Sequence, residues 1–200
     1  MIPYTIIEDC SPYYIRFTFP NLNNVINFIS EQLSDVERTK KYIGYHHEYF
    51  PIDIADRILA MLPMSKQFDF QNTRTSIFHT PAKGGCGIHK DGDHRISLNI
   101  PIVVLDDQCE TCWYDDETCS GAVEVGMPYA RNISLNFYDR SKFIPSKTMV
   151  AKSNEVILFN TTIYHSWHNV TSSNIRRILT LRAKDAENIY FDDAKKLLFN

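Results

Sequence analysis

Residues 88–102 of this chain read IHKDGDHRISLNIPI, with two histidines and two aspartates directly before a strand-like apolar run. In an extended segment, residues two positions apart point to the same side, so the His89 imidazole and the Asp91 carboxylate can reach one ion. This donor pair suits a first-row metal, and two histidines with one carboxylate on one face of Fe(II) leave positions open for other ligands. Asp93 and His94 are interpreted as solvated turn residues. Because short H-x-D motifs also occur in plain charged turns, the metal hypothesis needs a distant partner.

A second segment, residues 154–182, supplies candidates for that partner. His165 follows an apolar strand, and Arg176 leads into another strand. His168 would face the opposite side from His165 in an extended segment, which favours His165 as the third ligand. A planar guanidinium suits one carboxylate of a 2-oxo acid whose other end binds the metal. Strand alternation alone does not decide between Arg176 and Arg177.

Together the two segments resemble the iron(II)- and 2-oxoglutarate-dependent dioxygenases. That family has H-x-D near the start of a jelly roll, a distal histidine, and an arginine or lysine further along the same segment. The text HSWHNVTSSNIRR looks like this segment in prolyl-hydroxylase-like members, and HKDGDHRISLNIPI resembles short phage and marine-bacterial members. The resemblance covers roughly residues 70–185.

The resemblance implies an iron site with three protein ligands: His89, Asp91 and His165. It also implies that Arg176, or Arg177 as the alternative, binds the far carboxylate of 2-oxoglutarate. Family members place a small polar residue four positions after the arginine, and Thr180 then favours Arg176. The implied reaction uses O2 and 2-oxoglutarate, hydroxylates a peptidyl or small-molecule substrate, and releases succinate and CO2. The identity of the primary substrate is left open.

The periodicity of apolar residues predicts the fold class. Helices are predicted over 22–36 and 52–62, and a short one over the C-terminal DDAKKLLF. Strand candidates separated by turn signals follow: residues 73–79, 95–104, 121–125, 131–138, 147–151, 155–160 and 175–183. This order predicts a mainly β protein with flanking helices, a cupin-like jelly roll or double-stranded β-helix. We expect one domain over residues 1–200, with a helical part to about residue 65, a jelly-roll core at about 70–185 and a short last helix.

Polar and aromatic side chains beside these motifs are candidates for the pocket wall. Ser97 and Asn99 alternate with apolar neighbours on the strand after H-x-D, and Asn99 is a candidate cosubstrate-binding residue. A polar outer face of the strand is the open alternative for both. Trp167 shares a face with His165 and is either a wall of the iron pocket or a core residue.

Residues 106–119, DDQCETCWYDDETC, form a cysteine- and acid-rich insert. Three thiols are candidates for a zinc site, with ordinary reduced cysteines as the alternative: Cys109, Cys112 and Cys119. The acidic residues predict a solvated hairpin tip. The functional alternative is a lid in which Trp113 and Tyr114 contact the substrate and carboxylates attract a basic one.

Composition limits the remaining function classes. The net charge of −3 and the lack of a long basic run argue against nucleic acid as the main partner. Five cysteines, an odd number, fit reduced thiols. No signal peptide is recognisable and no apolar run approaches the ~20 residues of a membrane span, so we expect a soluble protein in the cytoplasm, or the host cytoplasm if a phage encodes it. Two alternatives stay open: a cupin-like metalloenzyme that does not use 2-oxoglutarate, and a non-catalytic jelly-roll binding module.

Overall fold

The computed structural model describes residues 4–37, 46–92, 94–103, 109–120, 123–126, 133–136, 143–169 and 175–200. The helices are α1 Leu22–Glu37, α2 Ile52–Met61, α3 Asp116–Cys119 and α4 Phe191–Phe199, with short 3₁₀ helices at Pro63–Lys66 and Asn72–Arg74. The strands are β1 Thr5–Cys10, β2 Tyr14–Thr18, β3 His46–Tyr49, β4 Ser76–Thr80, β5 His89–Lys90, β6 Ile96–Val103, β7 Glu110–Tyr114, β8 Val123–Gly126, β9 Ile133–Asn136, β10 Lys147–Val150, β11 Val156–Asn160, β12 Tyr164–His168 and β13 Arg176–Leu181.

The predicted helices and strands are confirmed where apolar periodicity was strong. In α1, Leu22, Ile29 and Leu33 recur at helical spacing, and all three are buried. The α2 helix ends just before Pro63, which cannot continue a helix because it lacks an N–H donor. All seven predicted strand segments have a counterpart. No helix among the described residues is both long enough and apolar enough to span a membrane.

The strands form two antiparallel sheets. The first has the order β1-β2-β11-β6-β13-β4-β3, and the second has the order β10-β7-β12-β5-β9-β8. Neighbours in both sheets are mostly distant in sequence, so the chain crosses repeatedly from one sheet to the other. Such crossing is typical of a jelly roll.

The first sheet has two different faces because side chains alternate along each strand. One face packs on the helices, where Leu98, Ile100 and Leu179 join α1, α2 and α4 in the main hydrophobic core. The opposite face turns toward the second sheet and carries Ser97 and Asn99, which line a cavity between the sheets. The helices α1, α2 and α4 therefore cover one side of the first sheet, and the cavity lies on its other side.

The sequence predicted a helical N-terminal part, but the structure places strands there as well. β1 and β2 precede α1, and β2 pairs with β11 inside the first sheet. Ile15 and Phe17 of β2 are fully buried in the main core. A further strand, β3, separates the two helices and pairs with β4 at the opposite edge of the sheet. The N-terminal segment thus supplies three strands of the same sandwich.

Candidate metal centre

Three metal-binding side chains meet at the inner surface of the second sheet. His89 lies on β5 and His165 on β12, where the two residues are direct cross-strand partners. Asp91 follows β5, and its backbone N–H donates to the carbonyl of Thr161 at 3.1 Å. One donor atom from each of the three side chains lies within 4.8 Å of the other two. The structure therefore brings together the three residues that the sequence proposed as ligands.

Both imidazoles are held in one orientation by main-chain carbonyls. His89 Nδ1 is 2.9 Å from the carbonyl of Gly87, and His165 Nδ1 is 2.9 Å from the carbonyl of Ile163. A carbonyl only accepts, so each Nδ1 carries a proton, and Nε2 is the ring nitrogen left to bind an ion. Histidines that bind metals almost always donate their second ring N–H in this way. Two such Nε2 atoms and one carboxylate fit a first-row ion such as Fe(II).

The charges of the cluster also suit a cation. Burial is the main reason that the pKa of His165 falls to about 4, and the adjacent His89 lowers it further. Burial alone would raise the pKa of Asp91, but the hydrogen bond from His94 and the neighbouring imidazoles hold it well below its usual range. At neutral pH His165 is therefore neutral and Asp91 is ionised. These are the protonation states in which both side chains bind metal.

His94 has a role that the sequence did not reveal. It is buried, with 3% of its surface exposed, and its Nε2 donates to Asp91 Oδ2 at 3.0 Å. The backbone carbonyl of His94 accepts from Thr161 Oγ1 at 2.7 Å, which fixes the turn. The prediction of a solvated His94 is wrong, because the chain folds back so that the imidazole supports the Asp91 carboxylate. Asp93, which shares that prediction, lies outside the described residues.

A cavity of about 930 Å³ extends from this cluster between the two sheets. Its wall includes Asn99 of β6, Phe159 of β11 and Trp167 of β12. Asn99 Oδ1 accepts a hydrogen bond from Ser97 Oγ at 3.0 Å. Ser97 and Asn99 therefore face the cavity, and the alternative of a polar outer face is wrong. Trp167 also faces the cavity, and the alternative of a plain core position is wrong.

Arg176 lines the same cavity. It is 5% exposed, its Nη1 donates to Cys109 Sγ at 3.1 Å, and its Nε has no hydrogen-bond partner among the described residues. Ile178 and Thr180 follow it on the cavity face of β13, as alternation requires. Arg177 points to the other face, where its Nε donates to His79 Nδ1 at 3.3 Å. A buried guanidinium with an unsatisfied donor fits a bound carboxylate, since such donors are costly to leave unmade.

No family model matches the sequence, and no curated protein matches it either. Solved structures do match the fold. HygX from Streptomyces hygroscopicus, with nickel and 2-oxoglutarate bound, has a TM-score of 0.52 at 7% identity over 84% of this chain and 81% of its own. The epimerase SnoN, in complex with Fe3+, alpha-ketoglutarate and nogalamycin RO, has a TM-score of 0.55 at 8% identity over 85% of this chain and 78% of its own. This chain has their double-stranded β-helix fold. The predicted fold class is confirmed.

Within the double-stranded β-helix, the aromatic residues of the acidic insert form no lid. They lie on β7, an inner strand between β10 and β12. Trp113 is 0% exposed and stacks on Tyr14, with ring centroids 4.9 Å apart. Tyr114 is also buried, and its hydroxyl is 3.1 Å from Ser166 Oγ. The lid hypothesis for Trp113 and Tyr114 is wrong because two neighbouring strands enclose the segment. Asp106 and Asp107 lie outside the described residues.

The three cysteines of the insert do not converge on one point of the double-stranded β-helix. Cys109 contacts Arg176 on the cavity side. Cys112 and Cys119 pack with Tyr114 in a separate buried cluster, and Cys112 Sγ is 3.8 Å from Thr148 Oγ1. Since Cys109 and Cys112 lie on opposite faces of the second sheet, they cannot share an ion. The zinc hypothesis is wrong, and the only group found among the described residues that could hold a metal ion is that of His89, Asp91 and His165.

Proposed function

We propose that this protein is a non-haem Fe(II)- and 2-oxoglutarate-dependent oxygenase. His89, Asp91 and His165 hold the metal, and Arg176 pairs with the far carboxylate of 2-oxoglutarate. One observation carries the proposal: the three-residue cluster and a buried arginine with an unsatisfied Nε line the same cavity. A cavity of this size is within the range of small-molecule sites.

When bound, Fe(II) with 2-oxoglutarate and O2 supplies the oxidation of a substrate C–H bond, with release of succinate and CO2. The chain positions these groups. The carbonyls of Gly87 and Ile163 orient the two imidazoles, and His94 orients the Asp91 carboxylate. Asn99 Oδ1 accepts from Ser97, and the Asn99 side-chain NH2 is the group that can donate to the cosubstrate.

Aromatic side chains of the cavity wall pack beside the metal ligands. Phe159 packs edge-on against the His165 ring, with centroids 4.9 Å apart, and Trp167 lies on the same inner surface. Exclusion of water strengthens the ion pair that Arg176 forms and protects reactive species from side reactions. Hydroxylation is the outcome that we propose. Because SnoN, which shares the fold, is an epimerase, assays should follow succinate as well as product oxygen.

An anaerobic titration with Fe(II), with and without 2-oxoglutarate, tests this proposal. We expect one Fe(II) per chain and a weak visible absorption band that develops only when 2-oxoglutarate is added. Asp91→Ala should lose the metal and the band while its circular dichroism stays unchanged. Asp116→Ala is a matched control, since Asp116 is 81% exposed and pairs with Lys90 on the surface.

The three hypotheses give different results in this titration. Metal binding without any effect of 2-oxoglutarate would favour the cupin-like metalloenzyme. Absence of specific metal binding would favour the non-catalytic module. Wild-type metal affinity in Asp91→Ala would contradict the ligand assignment itself.

A further inference from the structure

A series of aromatic rings in contact leads away from the metal ligands. His165 on β12 is the direct cross-strand partner of Trp113 on β7, so the two side chains start from neighbouring positions on one face of the second sheet. The Phe159 ring of β11 packs against both of them. Its centroid is 4.9 Å from that of His165 and 4.8 Å from that of Trp113. The buried indole is therefore joined to a metal ligand through one intervening ring.

Two tyrosines continue the ring contacts beyond Trp113. Tyr14 stacks on the indole with centroids 4.9 Å apart, and the centroid of the Tyr13 ring is 6.4 Å from it. Tyr14 is 1% exposed. Tyr13 is only half-buried, and its hydroxyl donates to Oδ1 of the exposed Asp115 at 2.8 Å. We call Phe159, Trp113 and Tyr13 the aromatic path, because Tyr13 is where this series of rings meets solvent.

The members of the aromatic path differ in how they respond to loss of an electron. Indole and phenol rings are oxidised more readily than a phenyl ring. An oxidised indole is trapped as a neutral radical when an acceptor takes the proton from its nitrogen, but among the described residues none accepts a hydrogen bond from Trp113 Nε1. The Trp113 radical cation therefore keeps its proton and takes an electron from a neighbouring ring. Tyr13 is suited to supply that electron, since Asp115 is placed to accept its phenolic proton.

The proposed reaction creates a need for such a path. Reduction of O2 takes four electrons, of which 2-oxoglutarate supplies two and the substrate C–H bond supplies the other two. When no substrate is bound, two oxidising equivalents remain at the metal centre. The nearest oxidisable groups are then side chains of the protein, among them Phe159 beside His165. Sites that generate reactive species must prevent side reactions of this kind.

We propose that Trp113 and Tyr13 carry unused oxidising equivalents from the metal centre to a one-electron reductant in solution, such as ascorbate. This inference rests on the proposed function and adds a protective activity to it. In each of two rounds, Trp113 gives one electron to the metal centre, and Tyr13 gives one electron to Trp113 and its phenolic proton to Asp115. The reductant then returns one electron and one proton to Tyr13, and Asp115 releases its proton to solvent. The two electrons, with two protons from solvent, reduce the second oxygen atom of O2 to water.

A photochemical experiment on the metal-free full chain tests the aromatic path without requiring any reaction at iron. The chain has two tryptophans, so Trp167→Phe leaves Trp113 as the single residue ionised by light that tryptophan alone absorbs. An added electron acceptor takes up the ejected electron. Transient absorption should show the indole radical decaying as a tyrosyl radical appears. In the same background, Tyr13→Phe should abolish the tyrosyl signal and prolong the indole radical, and Asp115→Asn should prolong it as well.

Two further variants control this experiment. Tyr4→Phe should behave like the parent protein, since Tyr4 packs on Phe17 and Phe199 away from the aromatic path. Tyr14→Phe should also retain the tyrosyl signal, because we assign the exit to Tyr13. An unchanged signal in Tyr13→Phe, or its loss in Tyr14→Phe, would overturn the path.

A second arm connects the aromatic path to the metal centre. The Fe(II)-loaded protein reacts with 2-oxoglutarate and O2 without substrate, and freeze-quenched samples are examined by electron paramagnetic resonance. We expect a tyrosyl radical in the wild type, its loss in Tyr13→Phe and Trp113→Phe, and its disappearance when ascorbate is added. Trp113→Phe keeps a ring in the core, so its loss of signal does not require unfolding, and circular dichroism checks the fold.

Mass spectrometry of the same samples measures protection. With ascorbate present, the wild type should stay unmodified over many turnovers, whereas Trp113→Phe should gain oxygen on cavity residues such as Phe159. Equal oxidation of the two proteins, or no tyrosyl radical in a wild type that forms succinate, would overturn the inference. A light-driven path that depends on Tyr13, in a protein that forms no succinate under any condition, would instead overturn the proposed function.

Discussion

Replacing Arg176 with methionine should separate cosubstrate binding from stability. Methionine keeps much of the apolar volume of the side chain but removes the buried guanidinium. Removing one partner of a buried ion pair typically costs about 3–5 kcal/mol. At about 1.4 kcal/mol per tenfold change, 2-oxoglutarate should bind at least about 100-fold more weakly. Metal affinity should stay unchanged, because Arg176 is not a ligand.

The same substitution should not destabilise the ligand-free protein. Arg176 is 5% exposed, its Nη1 donates only to a sulfur, and its Nε has no partner among the described residues. An unsatisfied buried donor costs about 1–3 kcal/mol, so its removal offsets the loss of the Cys109 contact. We therefore expect the free energy of unfolding of Arg176→Met, measured with urea, to equal or exceed that of the wild type.

Thermal unfolding with increasing 2-oxoglutarate combines both measurements. A ligand that binds only the folded state raises the midpoint with its concentration, so the wild type should be stabilised and Arg176→Met should not. Arg177→Met is the matched control on the opposite face of β13 and should respond like the wild type. If Arg177→Met alone loses the response, the wrong arginine was chosen. If both variants respond fully, the carboxylate assignment is refuted.

Three other substitutions test separate parts of the structure. His94→Ala should weaken Fe(II) binding by about 10- to 100-fold, the usual effect of losing a hydrogen bond to a ligand, and unchanged affinity in a metal titration would contradict this role. The pKa of His165 is about 4 in the folded protein, so between pH 6.5 and 4 this residue binds a proton in the unfolded chain but not in the folded one. The metal-free protein should therefore lose stability as the pH falls through this range. The loss attributable to this residue is about 3 kcal/mol, and urea unfolding of His165→Gln should show a correspondingly smaller slope with pH. Trp113→Ala should lower the free energy of unfolding by about 3–5 kcal/mol, whereas a neutral effect in urea would restore the lid hypothesis.

The features that could be predicted from the sequence are those that depend on residue type and on the local spacing of apolar residues. The H-x-D motif, His165 and the helices α1 and α2 could be recognised because each has a short-range signature. The structure differs from the prediction where tertiary packing buries a segment whose local sequence predicts an exposed turn. Acidic residues flank β7 in the sequence and predict a surface hairpin. In the structure, β10 and β12 pair with β7 on either side and Trp113 is buried.

The placement of Arg176 and His94 also depends on long-range pairing. The pairing of β13 with β6 has a register shift beside Arg177, and the local sequence pattern does not predict such a shift. His94 meets Asp91 only because the turn between them closes against Thr161, which lies far away in sequence. These contacts decide which side chain enters the cavity. They could not be predicted from one segment read alone.

The cross-strand pairing of His89 with His165 has a consequence for the lifetime of the protein. β5 is a two-residue strand, and its contact with β12 joins distant parts of the chain. Contacts of this kind require loop closure and are slow to form. A metal ion can thus bind only after the second sheet has formed, so it should slow unfolding and leave the refolding rate unchanged. If the site holds iron as proposed, iron scarcity in the cell would then shorten the time for which the folded chain resists proteolysis.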